Sequence, residues 1–370
     1  MNALVERFTA ALPELLADIE TLVRKESPSS DEVAVAESAD LVAALGARVL
    51  GVEPERIGPH LRWRLGDGPS RVVLVGHHDT VWPIGSLATH PFSVRDGVLR
   101  GPGCFDMKTG VVMALHAVAA LADRTGVTVL VTGDEELGSP SSRELVEESA
   151  TGCAAAFVLE AAAGTSVKTV RKGVSLYEVR AIGKAAHAGL EPELGVSAAI
   201  EVAHQLLAVA ALSSPEVGTT VTPTLTQAGT TTNTVAAAGS FFVDVRVTSL
   251  AEQQRIDERM HELTPVVPGA TLEVLGGPNR PPLPSSASSA LFARAQRLGA
   301  ELGLDPITGV EVGGASDGNF TAGVGTPTLD GLGACGGGAH ADHEHVLVEH
   351  IPGRTALLVA LVDEVLRETV

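Results

Sequence analysis

The residues of this chain best suited to chemistry stand where short apolar runs end or in Gly-rich turns. His77, His78 and Asp79 follow the run Val72–Val75, and Asp134, Glu135 and Glu136 follow Val127–Val131. Glu160 ends Ala155–Leu159, Asp106 lies in the turn Gly101-Pro102-Gly103-Cys104-Phe105-Asp106, and His340 and Asp342 lie in a Gly-rich loop near the C-terminus. Imidazole and carboxylate without thiolate is the ligand set of a catalytic zinc site rather than a structural one. Carboxylates at the end of an apolar run are costly to bury without a cation, and a metal supplies one. Glu135 and Glu136 could instead be a solvated pair, but such a pair seldom ends a five-residue apolar strand. Gly101 and Gly103 form a GxG with no following GK[ST], so they read as a turn rather than a phosphate loop.

The elements that must position these groups are legible in the hydrophobic pattern. Leu4, Phe8, Leu12, Leu15, Leu16 and Ile19 have helical spacing, and a second helix, capped by Ser29 or Ser30, runs toward Gly51. Val72–Val75, Val127–Val131 and Ala155–Leu159 fit strands buried on both faces, with a helix expected from about Met107 to Leu121. Alternating helix and apolar strand predicts an α/β layer with a largely parallel sheet. In such a sheet the carboxyl ends of the strands line one crevice, where distant segments can converge. From Val174 the pattern changes. Residues 174–182 and 239–247 alternate, each is followed by an amphipathic helix, and a strand at 271–275 comes next. That predicts an antiparallel sheet with helices on one face, inserted into the first domain; the α/β pattern returns after Pro278-Asn279-Arg280. The expected division is a domain of residues 1–173 and 279–370 and an inserted domain of 174–278.

Composition bounds the function class. The chain has 370 residues, a formal net charge of -19 and no Lys/Arg-rich run. A phosphate backbone would be repelled, which argues against nucleic acid as a partner. No run is long enough to cross a bilayer, and the first twenty residues lack the basic start and unbroken apolar stretch of a signal peptide. Cys104, Cys153 and Cys335 are odd in number and widely spaced, which points to packing residues in a reducing compartment. A cytoplasmic protein that binds neither nucleic acid nor membrane is expected.

The stretches GHHDTV (76–81), GPGCFDMKTG (101–110), TGDEELGS (132–139), LEAA (159–162), GKAAHAG (183–189), TNTV (232–235), DVR (244–246) and GGGAHADHEHV (336–346) occur in order along the chain. Together they resemble the dizinc metallopeptidase family of carboxypeptidase G, aminoacylase-1, acetylornithine deacetylase and succinyl-diaminopimelate desuccinylase. The carboxypeptidase G, or glutamate carboxypeptidase, branch is the most similar. The resemblance implies a zinc-exopeptidase-like catalytic domain with a mainly parallel mixed sheet, and an inserted ferredoxin-like α+β domain that forms a homodimer. It implies two Zn2+ per subunit, with Co2+ or Mn2+ as substitutes. Asp106 would bridge the metals, His77 and Glu160 completing one and Glu136 and His340 the other. Two ions so held, about 3.5–4 Å apart, can activate one water and polarise a carbonyl together.

By the same resemblance Glu135 is the general base, Asp79 orients His77, and His187 reaches the substrate carbonyl from a partner subunit. Asn233 and Arg246 match positions that bind the substrate carboxylate, and Arg280 is a further candidate. Arg246 could instead do no more than pair with Asp244, and His187 could be an ordinary turn histidine. His343 and His345 compete with His340 as ligands. His78, His116, His204, His261 and His350 read as ordinary histidines. Met107 stands where the carboxypeptidase G form has a second Asp, which removes no ligand. The reaction implied is zinc-dependent hydrolysis of an amide or peptide bond next to a free carboxylate, releasing a C-terminal amino acid, glutamate by the branch resemblance. N-acyl-amino-acid deacylation, a two-metal phosphatase and a metal-free binding relative are the competing readings.

Overall fold

The computed structural model describes residues 2–368. The chain divides into two compact units: one comprises the residues up to Val170, Leu283–Val312 and the residues from Ser316 onward, the other Arg171–Pro282 with Gly313–Ala315.

The first unit is built on a six-stranded mixed sheet in the order Glu55–Ile57, His60–Leu65, Val127–Thr132, Val72–His77, Ala155–Val158, Thr328–Leu329. The first two pairings are antiparallel and the last three parallel. Val72–His77 and Val127–Thr132 are buried along their whole length, as their unbroken apolar runs require. The helices Ala3–Val23, Thr109–Ala119, Ser285–Leu302 and Ile351–Arg367 contribute to one large core with the sheet. Arg71 closes the end of the last helix: its guanidinium donates to the carbonyls of Val365, Leu366 and Glu368, which have no partner within the helix. No helix among the described residues is long and apolar enough to cross a membrane.

The second unit has the order strand, helix, strand, strand, helix, strand: Gly173–Ile182, Ala198–Ala210, Thr220–Ala228, Ala238–Val247, Leu250–His261, Thr271–Arg280. All its pairings are antiparallel, with Ala238–Val247 and Gly173–Ile182 central and Thr220–Ala228 and Thr271–Arg280 at the edges. This is the ferredoxin-like arrangement. Tyr177, Val179 and Ala181 share a buried cluster with the helix residues Val202, Val209, Ile256 and Met260, while the alternate residues Leu176, Arg180 and Ile182 are exposed.

Several details depart from the pattern read in the sequence. Asp31, not Ser29 or Ser30, caps the second helix, Glu32–Leu50, by accepting from Val33 N and Ala34 N; the Ser29 hydroxyl donates to Asp79 instead. The helix after Asp106 begins at Thr109 rather than Met107, because Asp106 and Met107 have non-helical backbones. The strand expected at 271–275 continues to Arg280. Some of the strands give no clear apolar signal. Glu55–Ile57 and His60–Leu65 contain charged residues, among them the buried Arg62, which is paired with Glu55 and Glu148. Thr220–Ala228 is rich in Thr and includes Pro223, tolerable because the strand lies at an edge.

Candidate metal centre and active site

Five segments of the first unit bring their donors together. His77 ends its strand and is buried. Its Nδ1 lies 3.0 Å from the main-chain carbonyl of Asp79 and 3.4 Å from the Asp79 carboxylate. Both groups are acceptors, so Nδ1 carries the proton and Nε2 presents a lone pair. That Nε2 faces Asp106 Oδ1 at 3.4 Å and Glu160 Oε1 at 3.6 Å. The other oxygen of Asp106 faces His340 Nε2 at 3.5 Å, and His340 Nε2 lies 3.1 Å from Glu136 Oε1. One carboxylate therefore looks toward both histidines.

The spacing tests whether these residues fit metal ions. His77 Nε2 and Asp106 Oδ1 are buried and neither has a hydrogen-bond partner. Two atoms each about 2.0–2.1 Å from one tetrahedral zinc stand about 3.4 Å apart, which is the separation these donors have. One donor atom each of His77, Asp106 and Glu136 lie within 4.8 Å of one another, as do those of His77, Glu135 and Glu160. The electrostatics agree. Hydrogen bonds with Asp106 and Glu136 raise the pKa of His340 to about 10. Burial works against charge on His77, yet the carboxylates of Asp106, Asp79 and Glu160 outweigh it and raise its pKa too. Crowded carboxylates are short of positive charge, and a divalent cation fits them.

Asp79 has a wider part than expected. Its Oδ1 accepts from Glu135 N at 3.3 Å, and its Oδ2 accepts from Glu136 N at 3.2 Å and from the Ser29 hydroxyl at 2.6 Å. Burial disfavours its charge, but His77 and Ser29 prevail and hold the carboxyl down at about 2. Asp79 thus ties the turn of Glu135 and Glu136 to the strand of His77. Asp134 holds the far side of that turn, accepting from both the main-chain N–H and the hydroxyl of Ser141 and of Ser142.

Two glycines set the position of Glu160. A Cβ on Gly110 would come 2.2 Å from the carbonyl oxygen of Leu159, and one on Gly333 would come 2.1 Å from the same atom. Only glycine lets the helix Thr109–Ala119 and the loop at Gly333 approach the end of this strand so closely.

Of the histidines near the C-terminus, His340 alone among the described residues meets Asp106 and Glu136. His345 lies in a strand opposite Arg100, with its Nδ1 3.0 Å from the carbonyl of His343. His78 is fully buried between the Ser38 hydroxyl and the Pro59 carbonyl.

The remaining candidates belong to the second unit. His187 is exposed, and its main chain bridges Thr234 while Ala188 N donates to Asn233 O at 2.9 Å. The His187 Nδ1 accepts from Gly189 N and Leu190 N, so in the neutral ring Nε2–H is a free donor. Arg246 makes two 2.8 Å bonds to Asp244, the pairing the sequence allowed. Arg280 is buried at the end of its strand.

A family model of known proteins, described as peptidase family M20/M25/M40, matches residues 73–364. The chain belongs to the M20/M25/M40 peptidase family. It is 28% identical over 386 residues to carboxypeptidase G2 of Pseudomonas sp. (strain RS-16), covering 98% of this chain and 91% of that protein. Two solved structures share the fold. The aminopeptidase PepT of Bacillus cereus ATCC 10987 has a TM-score of 0.72 at 22% identity, over 96% of this chain and 99% of the other. The M20 family metallo-carboxypeptidase Sso-CP2 of Sulfolobus solfataricus has a TM-score of 0.73 at 14% identity, over 95% and 98%. As an M20 family member the protein is a metallohydrolase acting on peptide or amide bonds.

Three residues close to these candidates escaped the sequence reading. Lys168 brings its ammonium to 3.7 Å from Glu160 Oε2. Lys108 is buried and donates to the carbonyl of Lys25, with burial lowering its pKa to about 8. Glu344, between His343 and His345, is only 4% exposed although its setting in the sequence reads as a solvated loop. Their partners are largely main-chain atoms or distant side chains, which leave no local pattern to find.

Proposed function

We propose that this protein is a dizinc carboxypeptidase or amidohydrolase that cleaves the amide bond next to a free carboxylate, releasing a C-terminal amino acid, glutamate by its likeness to carboxypeptidase G2. The observation that carries the reading is the largely buried Asp106 carboxylate, directed at His77 through one oxygen and at His340 through the other. In this reading His77, Asp106 and Glu160 hold one zinc, and Asp106, Glu136 and His340 the other. Bound there, the ions would acidify a water and polarise the amide carbonyl.

The chain's own residues do the rest. Glu135 accepts the proton of the attacking water and passes it to the leaving nitrogen. Asp79 keeps the turn of Glu135 and Glu136 in register with His77. His187, supplied by the second subunit of a homodimer formed through residues 174–278, donates Nε2–H to the carbonyl oxygen as charge develops there, a contact of a kind worth about 3–4 kcal/mol. Asn233, Arg246 and Arg280 bind the substrate carboxylate, for which the guanidinium fork is suited.

The test joins metal analysis to substrate choice. Purified protein should contain two zinc ions per chain, lose activity on dialysis against a chelator, and regain it with Zn2+, Co2+ or Mn2+. Offered N-acyl-glutamate and N-acetyl-ornithine side by side, it should prefer the first. Preference for the second would make it a deacylase, and protein that takes up no metal would end the catalytic reading altogether.

A further inference from the structure

Glu344 is one of the most heavily engaged side chains of the first unit. Its Oε1 accepts from Phe105 N at 2.8 Å and Asp106 N at 3.1 Å, and its Oε2 accepts from Gly103 N at 3.0 Å and from the Trp82 indole N–H at 2.6 Å. Three of these four donors are main-chain amides of the single turn that carries Asp106. Glu344 itself stands four residues after His340 in the same loop. One buried carboxylate therefore fastens the loop of His340 to the turn of Asp106 and to Trp82, just beyond the strand of His77.

We propose that Glu344 is the positioning residue for Asp106: its carboxylate collects the amides of the Gly103–Asp106 turn and so fixes the distance from Asp106 to His340. The chemistry of the partners is specific. All four are donors, so only an acceptor on both oxygens satisfies them. A carboxamide of the same shape would turn its own N–H bonds toward either the Phe105 and Asp106 amides or the Gly103 amide and the indole. Packing alone would not distinguish the two groups, because Glu and Gln differ little in volume. The inference rests on the reading of Asp106 as a metal ligand and extends it to a residue that touches neither metal nor substrate.

The experiment compares zinc affinity, measured by competition with a chromogenic chelator, with the melting temperature of the metal-free protein and with steady-state kinetics. Glu344→Gln should lower zinc affinity about 10- to 100-fold, the range for groups that orient metal ligands, and lower kcat while KM stays within about twofold. Trp82→Phe keeps the three main-chain bonds and should give a smaller loss of zinc affinity with an unchanged metal-free melting temperature. A merely structural role would instead move the melting temperature and leave the affinity of the folded protein alone. Glu344→Gln that folds and binds zinc as tightly as the wild type overturns the proposal. If Glu344→Gln does not fold, Trp82→Phe decides: weaker zinc binding supports the proposal and unchanged binding overturns it. Asp106→Asn is the control. If it loses zinc while both other variants keep it, the Glu344 inference alone fails; if it keeps zinc, the metal-ligand reading fails and takes this inference with it.

Discussion

Arg246 and Arg280 stand opposite the same residue, Val174, from the two strands that flank it. Residues directly opposite in an antiparallel sheet point to one face, so the two guanidinium-bearing positions occupy a single row on the face that the helices of this unit leave uncovered. Asp244 holds Arg246 in place by two bonds. If this row receives the substrate carboxylate, Arg246→Ala should raise KM about 10-fold or more with a smaller change in kcat, because a contact present equally in bound substrate and transition state is lost. Asp244→Asn should show a weaker form of the same effect. A change confined to kcat would place Arg246 elsewhere in the reaction.

Glu135 and Glu136 are neighbours with different assigned tasks, and metal content separates them. Glu135→Gln should retain both metals and lose turnover by at least about 100-fold, in keeping with the worth of a general base. Glu136→Gln should lose metal. Because Glu135 also lies near His77 and Glu160, elemental analysis of the two variants is the decisive measurement. Loss of metal from Glu135→Gln would reassign it as a ligand.

Asp79 receives two main-chain amides and a hydroxyl. Asp79→Asn places an N–H2 where one of these donors now points. Metal affinity should fall about 10- to 100-fold, as for other groups that orient ligands. Isothermal titration of metal-free protein with zinc would read the change, and an unchanged affinity would leave Asp79 with a purely local role.

His78 predicts a pH dependence of stability. Burial pushes its pKa down to about 4, against about 6.5 in an unfolded chain. Between these values the unfolded state binds the proton that the folded state refuses. The stability contributed by neutral His78 is therefore fully present above about pH 6.5 and is lost as pH falls toward 4, on the order of 3 kcal/mol in all. Urea unfolding of metal-free protein at pH 7 and pH 5 should show a larger loss for the wild type than for His78→Gln. Equal losses would show that another group dominates this window.

Gly110→Ala forces a methyl group against the Leu159 carbonyl. Neither partner is a flexible side chain, so the strand end must shift. Overpacking of this kind costs about 1–3 kcal/mol, visible as a lower melting temperature. Because Glu160 follows Leu159 directly, activity should fall further than stability does. A variant as stable and as active as the wild type would mean that the helix and strand can part without disturbing Glu160.

Much of this molecule is written in its local sequence. The fully buried strands, the amphipathic helices and the change to antiparallel alternation near Val174 follow from hydrophobic period, since burial on one face or two is a property of each segment. The donors His77, Asp106, Glu135, Glu136, Glu160 and His340 were visible because their types are costly at the ends of apolar runs or stand in Gly-rich turns, and the order of the motifs linked them. The sequence could prefer His340 over His343 and His345 only by its place directly after the Gly-rich loop, as in the family motif; that His340 faces Asp106 while His345 pairs opposite Arg100 is decided by the fold. Nor could the sequence show that Ser29 serves Asp79 while Asp31 caps the helix, or that Glu344 is buried beneath the Asp106 turn. Such contacts join one side chain to main-chain amides of another segment, and every residue but proline carries the same amide. Only the folded chain decides which of those amides a carboxylate will find.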